Sequence, residues 1–171
     1  RGIMNSSVFG GVFRSSKEYL QPILEAQAIA LPVILYLADQ ERIAILVGLT
    51  YFFLYLSTSI TSRSAGRIAS RLSEISRGIN FTYIIGGALI IISGFSAYVG
   101  WYPMAVAAFI GLYIVHNIRR PMNVGYISDT IPSKVMATGL SVESQVKAIV
   151  TAVFAPLIGY LADAYGVGQA L

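Results

Sequence analysis

The chain has 171 residues, of which 56% are hydrophobic and 12% are charged, and its mean hydropathy is +0.69. Soluble domains carry about 25% charged residues, and a chain of this length cannot hide so many apolar side chains in one aqueous core. The composition therefore excludes a soluble domain and predicts an all-α, polytopic transmembrane helix bundle of about five spans. The net charge of +4 does not indicate nucleic-acid binding, because the basic residues lie in short segments between apolar runs.

The first predicted span ends near Leu37 and has two registers. Hydropathy favours a start at Tyr19, but the preceding stretch is also apolar and allows a start near Ser6. One helix over both stretches would be about 45–50 Å long, which is too long for one bilayer crossing. Pro22 and Pro32 are the residues expected to break it. In both registers the chain crosses the membrane once, in the same direction.

Four further apolar segments are each predicted to cross the membrane as a helix. They cover residues 43–62, 81–99, 104–118 and 142–161. The last segment begins at Val142 or at Ala148, and the 81–99 segment contains no ionisable residue. Trp101 and Tyr102 follow that segment, as aromatic residues do at membrane interfaces.

The distribution of basic residues predicts which side of the membrane is cytoplasmic. With the N-terminus on the first side, only Arg42 of the 12 Lys and Arg residues lies on the second side. The first side holds Arg1, Arg14, Lys17, Arg63, Arg67, Arg71, Arg77, Arg119, Arg120, Lys134 and Lys147. By the positive-inside rule, the first side is cytoplasmic. We therefore expect an integral protein of a bacterial inner (plasma) membrane, whose first residue lies in the cytoplasm. Residues 1–171 are interpreted as a fragment cut at both ends.

Ionisable groups inside a span are costly and point to function. Lys17, Gln21 and Glu25 are spaced by four residues, so they share one face of a helix. In one interpretation this polar stripe lines an aqueous pathway, binds a substrate or takes up a proton. In the other, Lys17 is solvated at the interface and Glu25 pairs locally.

The fourth and second spans carry similar polar faces. On the fourth span, helical spacing relates Phe109, Tyr113, His116 and Arg120, with Asn117 beside them. A histidine here could relay protons near neutral pH. The alternative is an interfacial histidine near the end of a helix. In the second span, Tyr51 and Tyr55 begin an aromatic and hydroxyl face that lines a cavity or packs against another helix.

Catalytic motifs are absent from the sequence. It has no His-Glu-x-x-His, Gly-x-Ser-x-Gly or P-loop pattern, one histidine and no cysteine. We therefore expect no enzyme activity, no cofactor and no metal site. Three function classes remain: a transporter, a structural or receptor-like membrane subunit that does not transport, and, with little support, a membrane-embedded enzyme.

The segment from Arg120 to Gly166 resembles the region of the tenth and eleventh helices in major facilitator superfamily transporters. Pro132 followed by Ala-Thr-Gly-Leu-Ser at 137–141 is similar to the opening of helix eleven. Pro-Leu-Ile-Gly-Tyr-Leu-Ala-Asp at 156–163 is similar to its end. Weaker similarities place residues 17–24 in the seventh helix and residues 62–72 in the loop between helices eight and nine.

The resemblance covers essentially the whole chain and implies half of a twelve-helix transporter fold, comprising helices seven to eleven. In that fold, two six-helix halves rock around a central site. The implied function is secondary active transport of a small solute by alternating access, with the solute, the lipid bilayer and the missing amino-terminal half as partners.

The same resemblance bears on the site residues. It implies that helix nine, the third span here, is peripheral, and it favours the earlier register of the first span. Arg14, Lys17 and Gln21 would then face the cavity, and Glu25 is a candidate for proton coupling. The chain departs from the family pattern at Ser70, where Asp is common, and at Met136, where Arg is usual. These departures put in doubt a charge-relay gate at those two loops.

Overall fold

The computed structural model describes residues 2–30, 38–71 and 75–171, and every regular element in these ranges is helical, as the composition predicts. In chain order the helices are α1 Gly2–Ser16, α2 Leu20–Ala30, α3 Asp39–Arg71, α4 Ile75–Tyr98, α5 Tyr102–Thr130, α6 Met136–Tyr165 and α7 Val167–Ala170. Single 3-10 turns at Lys17–Tyr19 and Ser133–Val135 precede α2 and α6.

The region of the first predicted span is a helical segment that begins at Gly2, before both predicted starts, and is interrupted between α1 and α2. Pro22 lies in the first turn of α2 and has no N–H to donate to the carbonyl of Glu18. The break that proline was expected to cause therefore falls a few residues upstream, in the 3-10 turn. Pro32 and Leu37 lie outside the described residues.

Three helices in the described part of the chain are long and apolar enough to cross a membrane, judged by length and composition. They are α3 over Asp39–Arg63, α4 over Arg77–Tyr98 and α6 over Met136–Tyr165. Their large apolar side chains are mostly exposed, including Phe52 at 62% and Ile91 at 69%. A soluble bundle would bury such faces, so the bilayer is the solvent that fits them and the chain has the character of an integral membrane protein.

Helix α5 occupies the centre of the bundle and packs against α1, α2, α3 and α4. Its Phe109 and Leu112 form the core together with Phe13, Leu20 and Leu54. Because its neighbours shield it, α5 needs less apolar surface than the outer helices. Neither α5 nor the α1–α2 segment is among the three apolar helices, although the predicted fourth and first spans fall on them.

Helices α1 and α6 approach closely at two adjacent glycines. A Cβ on Gly11 would lie 2.5 Å from Cγ1 of Val150 and 3.2 Å from the carbonyl oxygen of Lys147, and a Cβ on Gly10 would lie 2.7 Å from Cε of Lys147. One turn earlier on α1, the hydroxyl of Ser7 donates a hydrogen bond of 3.0 Å to the backbone carbonyl of Glu143. This packing fixes the distance between two walls of a cavity.

Candidate functional site

A cavity of about 480 Å³ lies between α1, α5 and α6. Five Lys and Arg side chains line it, and Glu143 is the one carboxylate among the described residues that do so. The basic residues are Arg14, Lys17, Arg119, Arg120 and Lys147. We call this space the cationic cavity. Its charge balance favours an anionic occupant over a neutral or cationic one.

Helical spacing brings these side chains to one place. On α1 and the following turn, Gly10, Arg14 and Lys17 recur every three or four residues, so they line the same face. On α6, Glu143 and Lys147 are one turn apart. Arg119 and Arg120 are adjacent on α5, which continues past the predicted end of the fourth span to Thr130.

Arg119 is the most deeply buried charge of the cavity, with 1% of its surface exposed. Its guanidinium donates to the carbonyl of Ile79 at 2.6 Å, to the hydroxyl of Thr82 at 3.0 Å and to the side-chain oxygen of Asn5. It also lies over the rings of Phe9, at 4.5 Å, and Tyr83. These contacts hold the charge in place.

No carboxylate among the described residues pairs with Arg119, and its buried Nε has no hydrogen-bond partner there. Burying a charge costs several kcal/mol unless an opposite charge compensates it. The oxygen atoms and aromatic faces around Arg119 offset part of this cost but leave its positive charge in place. Arg119 therefore contributes a fixed positive potential at the wall of the cavity.

Two further arginines in the cavity also lack a carboxylate partner. Arg14 and Arg120 are exposed, and neither forms an ion pair with any residue of the described ranges. Lys17 pairs at 3.2 Å with Glu18, whose side chain is 73% exposed. An exposed pair of this kind contributes little, so Lys17 remains available to a ligand.

Glu143 is held by two neighbours from different helices. The hydroxyl of Ser6 donates to its Oε1 at 2.6 Å, and Nζ of Lys147 lies 3.3 Å from the same atom. The side chain of Glu143 is only 12% exposed. The pair places one negative and one positive group where α1 meets α6.

His116 forms an aromatic wall of the cavity rather than part of a hydrogen-bonded network. Its ring stacks on Phe13 with centroids 3.9 Å apart and planes 8° from parallel. Tyr113 meets the other edge of Phe13 at 5.0 Å. The Nδ1 atom of His116 is buried and has no hydrogen-bond partner among the described residues.

The structure brings together three of the nine candidate site residues of the sequence analysis: Arg14, Lys17 and His116 line the cationic cavity. The other six lie outside its lining: Gln21, Glu25, Tyr51, Tyr55, Tyr113 and Asn117. Gln21 and Glu25 hydrogen-bond to each other at 3.1 Å on an exposed face. The amide of Asn117 donates to the carbonyl of Tyr113 at 2.8 Å, within α5.

The second-span tyrosines also lie apart from the cationic cavity. The rings of Tyr51 and Tyr55 stack on one another at 6.0 Å, and Tyr51 packs against the hydrophobic core. Tyr55 is exposed on α3. This face was predicted either to line a cavity or to pack against another helix, and Tyr51 packs against other helices.

Four residues of the cavity are not among the nine predicted site residues: Arg119, Arg120, Glu143 and Lys147. Arg120 belongs to the polar stripe predicted on the fourth span, but all three basic residues are predicted to lie on the cytoplasmic side. For Lys147 the further signal is helical spacing, since it lies one turn after Glu143.

Comparison of the chain with family models, with curated proteins and with solved structures finds no match. The described structure defines the class: an α-helical membrane protein with a cation-lined cavity between packed helices.

Proposed function

We propose that this chain forms most of one half of a secondary active transporter that moves a small anionic solute by alternating access. The proposed whole is a twelve-helix fold of the major facilitator type, in which the amino-terminal half faces the cationic cavity of this carboxy-terminal half. The observation that carries the proposal is a cavity between packed membrane helices with five basic side chains and one carboxylate. The resemblance of residues 120–166 to that family is consistent with it.

The arrangement suits an anion with more than one charged oxygen. Three arginines line the cavity, and a planar guanidinium group can bind a carboxylate or another oxyanion through paired hydrogen bonds. They are Arg14, Arg119 and Arg120. Each charge pair at 4 Å is worth about 4 kcal/mol at an effective dielectric constant of about 20. Two or three such pairs would offset the cost of removing a small anion from water.

Transport fits this cavity better than a purely structural role. Membrane orientation of a structural subunit needs only basic residues in its loops, whereas here five basic side chains converge on one cavity between helices. The cavity also lies where the basic segments gather, on the side expected to be cytoplasmic. A solute would thus enter or leave there, and the opposite opening would form when the two halves rock.

The test is uptake of radiolabelled sulfate, phosphate and succinate into vesicles containing the full-length protein, together with sulfate binding in detergent. We expect saturable uptake of at least one of these anions. Arg120→Gln should weaken sulfate binding about ten-fold, which corresponds to about 1.4 kcal/mol. Arg63→Gln is the matched control, because Arg63 is exposed on α3 and does not line the cavity.

Several results would contradict the proposal. Absence of sulfate binding together with absence of uptake of all three anions, or equal loss of sulfate binding in the Arg120 and Arg63 variants, would contradict anion binding in the cavity. Sulfate binding without uptake of any of the three anions would favour the receptor-like alternative.

A further inference from the structure

Glu143 is the one carboxylate among the described residues that line the cationic cavity. An ionised carboxylate accepts hydrogen bonds but cannot donate them. Beside a fully ionised anion such as sulfate, it would face oxygen atoms that are also only acceptors, and the like charges would repel each other. The five basic side chains attract any anion, so they do not by themselves select among anions of equal charge and size.

The contacts of Glu143 hold its carboxylate in place through one of its two oxygen atoms. The hydroxyl of Ser6 donates to Oε1 at 2.6 Å, and Nζ of Lys147 lies 3.3 Å from the same atom. No hydrogen bond or ion pair between described residues uses Oε2. Because Glu143 lines the cavity, Oε2 is the acceptor that its side chain offers to a solute.

We propose that the cationic cavity takes a phosphate that still carries a proton, and that Glu143 determines this specificity by accepting a hydrogen bond from the P–OH group. The basic side chains bind the ionised oxygen atoms of the same phosphate. The proton stays on the phosphate, and Glu143 stays ionised. This inference rests on the proposed anion transport and names its substrate class. Inorganic phosphate and the monoanion of a phosphate monoester share this chemistry, and the volume of about 480 Å³ admits either.

Phosphate and sulfate differ in the property that a carboxylate can recognise. Both are tetrahedral dianions of similar size, but the phosphate dianion keeps one O–H group and the sulfate dianion has none. The attraction to the five cations is therefore similar for the two anions. At Glu143, by contrast, phosphate forms a hydrogen bond where sulfate meets an unpaired negative charge, and an unpaired charge of this kind excludes the wrong ligand.

Two other side chains of the cavity contain a hydrogen-bond acceptor, but neither would select phosphate. Asn123 lines the cavity, and its amide both accepts and donates, so it would serve sulfate as well as phosphate. The Nδ1 atom of His116 is buried, which closes it to a solute. Among these three side chains, only that of Glu143 offers the cavity an acceptor without a donor.

The experiment compares the affinities of phosphate, sulfate and methyl phosphate for the detergent-purified full-length protein by calorimetric titration. A phosphate monoester loses its last ionisable proton near about pH 6, so at about pH 8 methyl phosphate is a dianion without an O–H group, as sulfate is. Inorganic phosphate keeps its O–H group at this pH. We expect phosphate to bind about ten-fold more tightly, or better, than either of the other two dianions.

Glu143→Gln should reduce the preference for phosphate over sulfate to about three-fold or less, because the new amide can donate to sulfate and still accept from phosphate. Most of this change should come from tighter sulfate binding. Asp163→Asn is the matched control: it makes the same chemical change on α6, about 30 Å from Glu143 along the helix at 1.5 Å per residue, and should keep the wild-type preference. If Glu143→Gln does not fold, the comparison of the three dianions in the wild-type protein provides the test.

The same titration at about pH 6, where about half of the methyl phosphate carries a proton, distinguishes the two sources of phosphate. A gain in its affinity relative to inorganic phosphate would assign monoesters to the site, and no gain would assign inorganic phosphate alone.

Two outcomes would overturn the inference. One is equal binding of phosphate and sulfate by the wild-type protein at about pH 8. The other is a preference for phosphate that is unchanged in Glu143→Gln. Failure of the wild-type protein to bind any of the three anions would instead contradict the proposed function, so the two failures are distinguishable.

Discussion

At the scale of single residues, Arg119 links the fold to the cavity. Its guanidinium joins α5 to α4 through Ile79 and Thr82 and to α1 through Asn5. The same group contributes positive charge to the cavity wall. One side chain therefore holds three helices together and attracts the anion that we propose, which requires the planar, multiply donating guanidinium of arginine.

Arg119→Lys should lower the free energy of unfolding by about 2 kcal/mol or more, because an ammonium cannot reach Ile79, Thr82 and Asn5 together. The measurement is thermal or denaturant unfolding of the detergent-solubilised full-length protein. Arg120→Lys is the matched control, since Arg120 is exposed and forms no ion pair in the described structure. Its unfolding should change by less than about 0.5 kcal/mol. Equal effects of the two changes would contradict the linking role of Arg119.

These residues also show what the sequence could and could not predict about the site. Lys17 and His116 are predicted because helical spacing places each in a polar stripe, and Arg14 because the family resemblance favours the earlier register of the first span. Arg119 and Lys147 also line this cavity, but on a hydropathy scale they lie at the edges of predicted spans. Whether such a cation faces water or a cavity depends on which helices pack beside it, and that depends on contacts between residues more than 100 positions apart, such as Arg119 with Asn5.

At the scale of helices, the contact between α1 and α6 depends on the absence of side chains at Gly10 and Gly11. Close approach of this kind is how membrane helices gain packing energy without a hydrophobic driving force. Ser6 lies about one turn before these glycines on α1, and Glu143 lies one to two turns before Lys147 and Val150, which the glycines contact on α6. A change in helix separation would therefore also change the 2.6 Å hydrogen bond between Ser6 and Glu143. Packing and cavity chemistry are thus coupled at this crossing.

Gly11→Ala should destabilise the protein by about 1–3 kcal/mol, because the new Cβ would lie 2.5 Å from Val150. Gly87→Ala is the matched control: no atom lies within 4 Å of its Cβ position on α4, and removing a helical glycine should raise stability slightly. Unfolding midpoints of the two variants, measured side by side, test this. A stable Gly11→Ala protein with unchanged sulfate binding would show that the close crossing of α1 and α6 is dispensable.

The helices themselves were predictable to different degrees. The second and fifth predicted spans lie within α3 and α6, and the third, 81–99, ends one residue beyond α4. In these three helices, outward-facing apolar side chains make hydropathy a strong signal. Helix α5 is harder to predict, because a central helix shielded by its neighbours needs fewer apolar residues. It extends beyond Ile118 through Pro121, whose missing N–H leaves the carbonyl of Asn117 without its usual helical partner. Hydropathy does not mark its end at Thr130, but Pro132 does, because proline disfavours helical backbone at the residue before it, Ile131.

At the scale of the whole molecule, charge and apolar surface are segregated. Outward faces of α3, α4 and α6 carry exposed aromatic and aliphatic side chains, whereas five basic side chains converge on one cavity between α1, α5 and α6. The first arrangement suits lipid and the second suits a polar solute. The helices thus separate a charged cavity from the apolar outer surface, which is what the carrier that we propose would need.

This arrangement makes α5 the critical element of the topology, because it is central yet lies outside the three most apolar helices. If α5 crosses the membrane, Trp101 before it and Lys134 after it lie on opposite faces. Residues 1–171 contain no cysteine, so single cysteines can be placed here once any cysteines elsewhere in the full-length protein have been replaced. We expect Trp101→Cys to react with a membrane-impermeant maleimide in intact cells, and Lys134→Cys to react only in inside-out vesicles, because basic segments remain in the cytoplasm. Labelling of both positions from the same face would contradict a crossing by α5 and, with it, the five-span arrangement on which the transporter proposal depends.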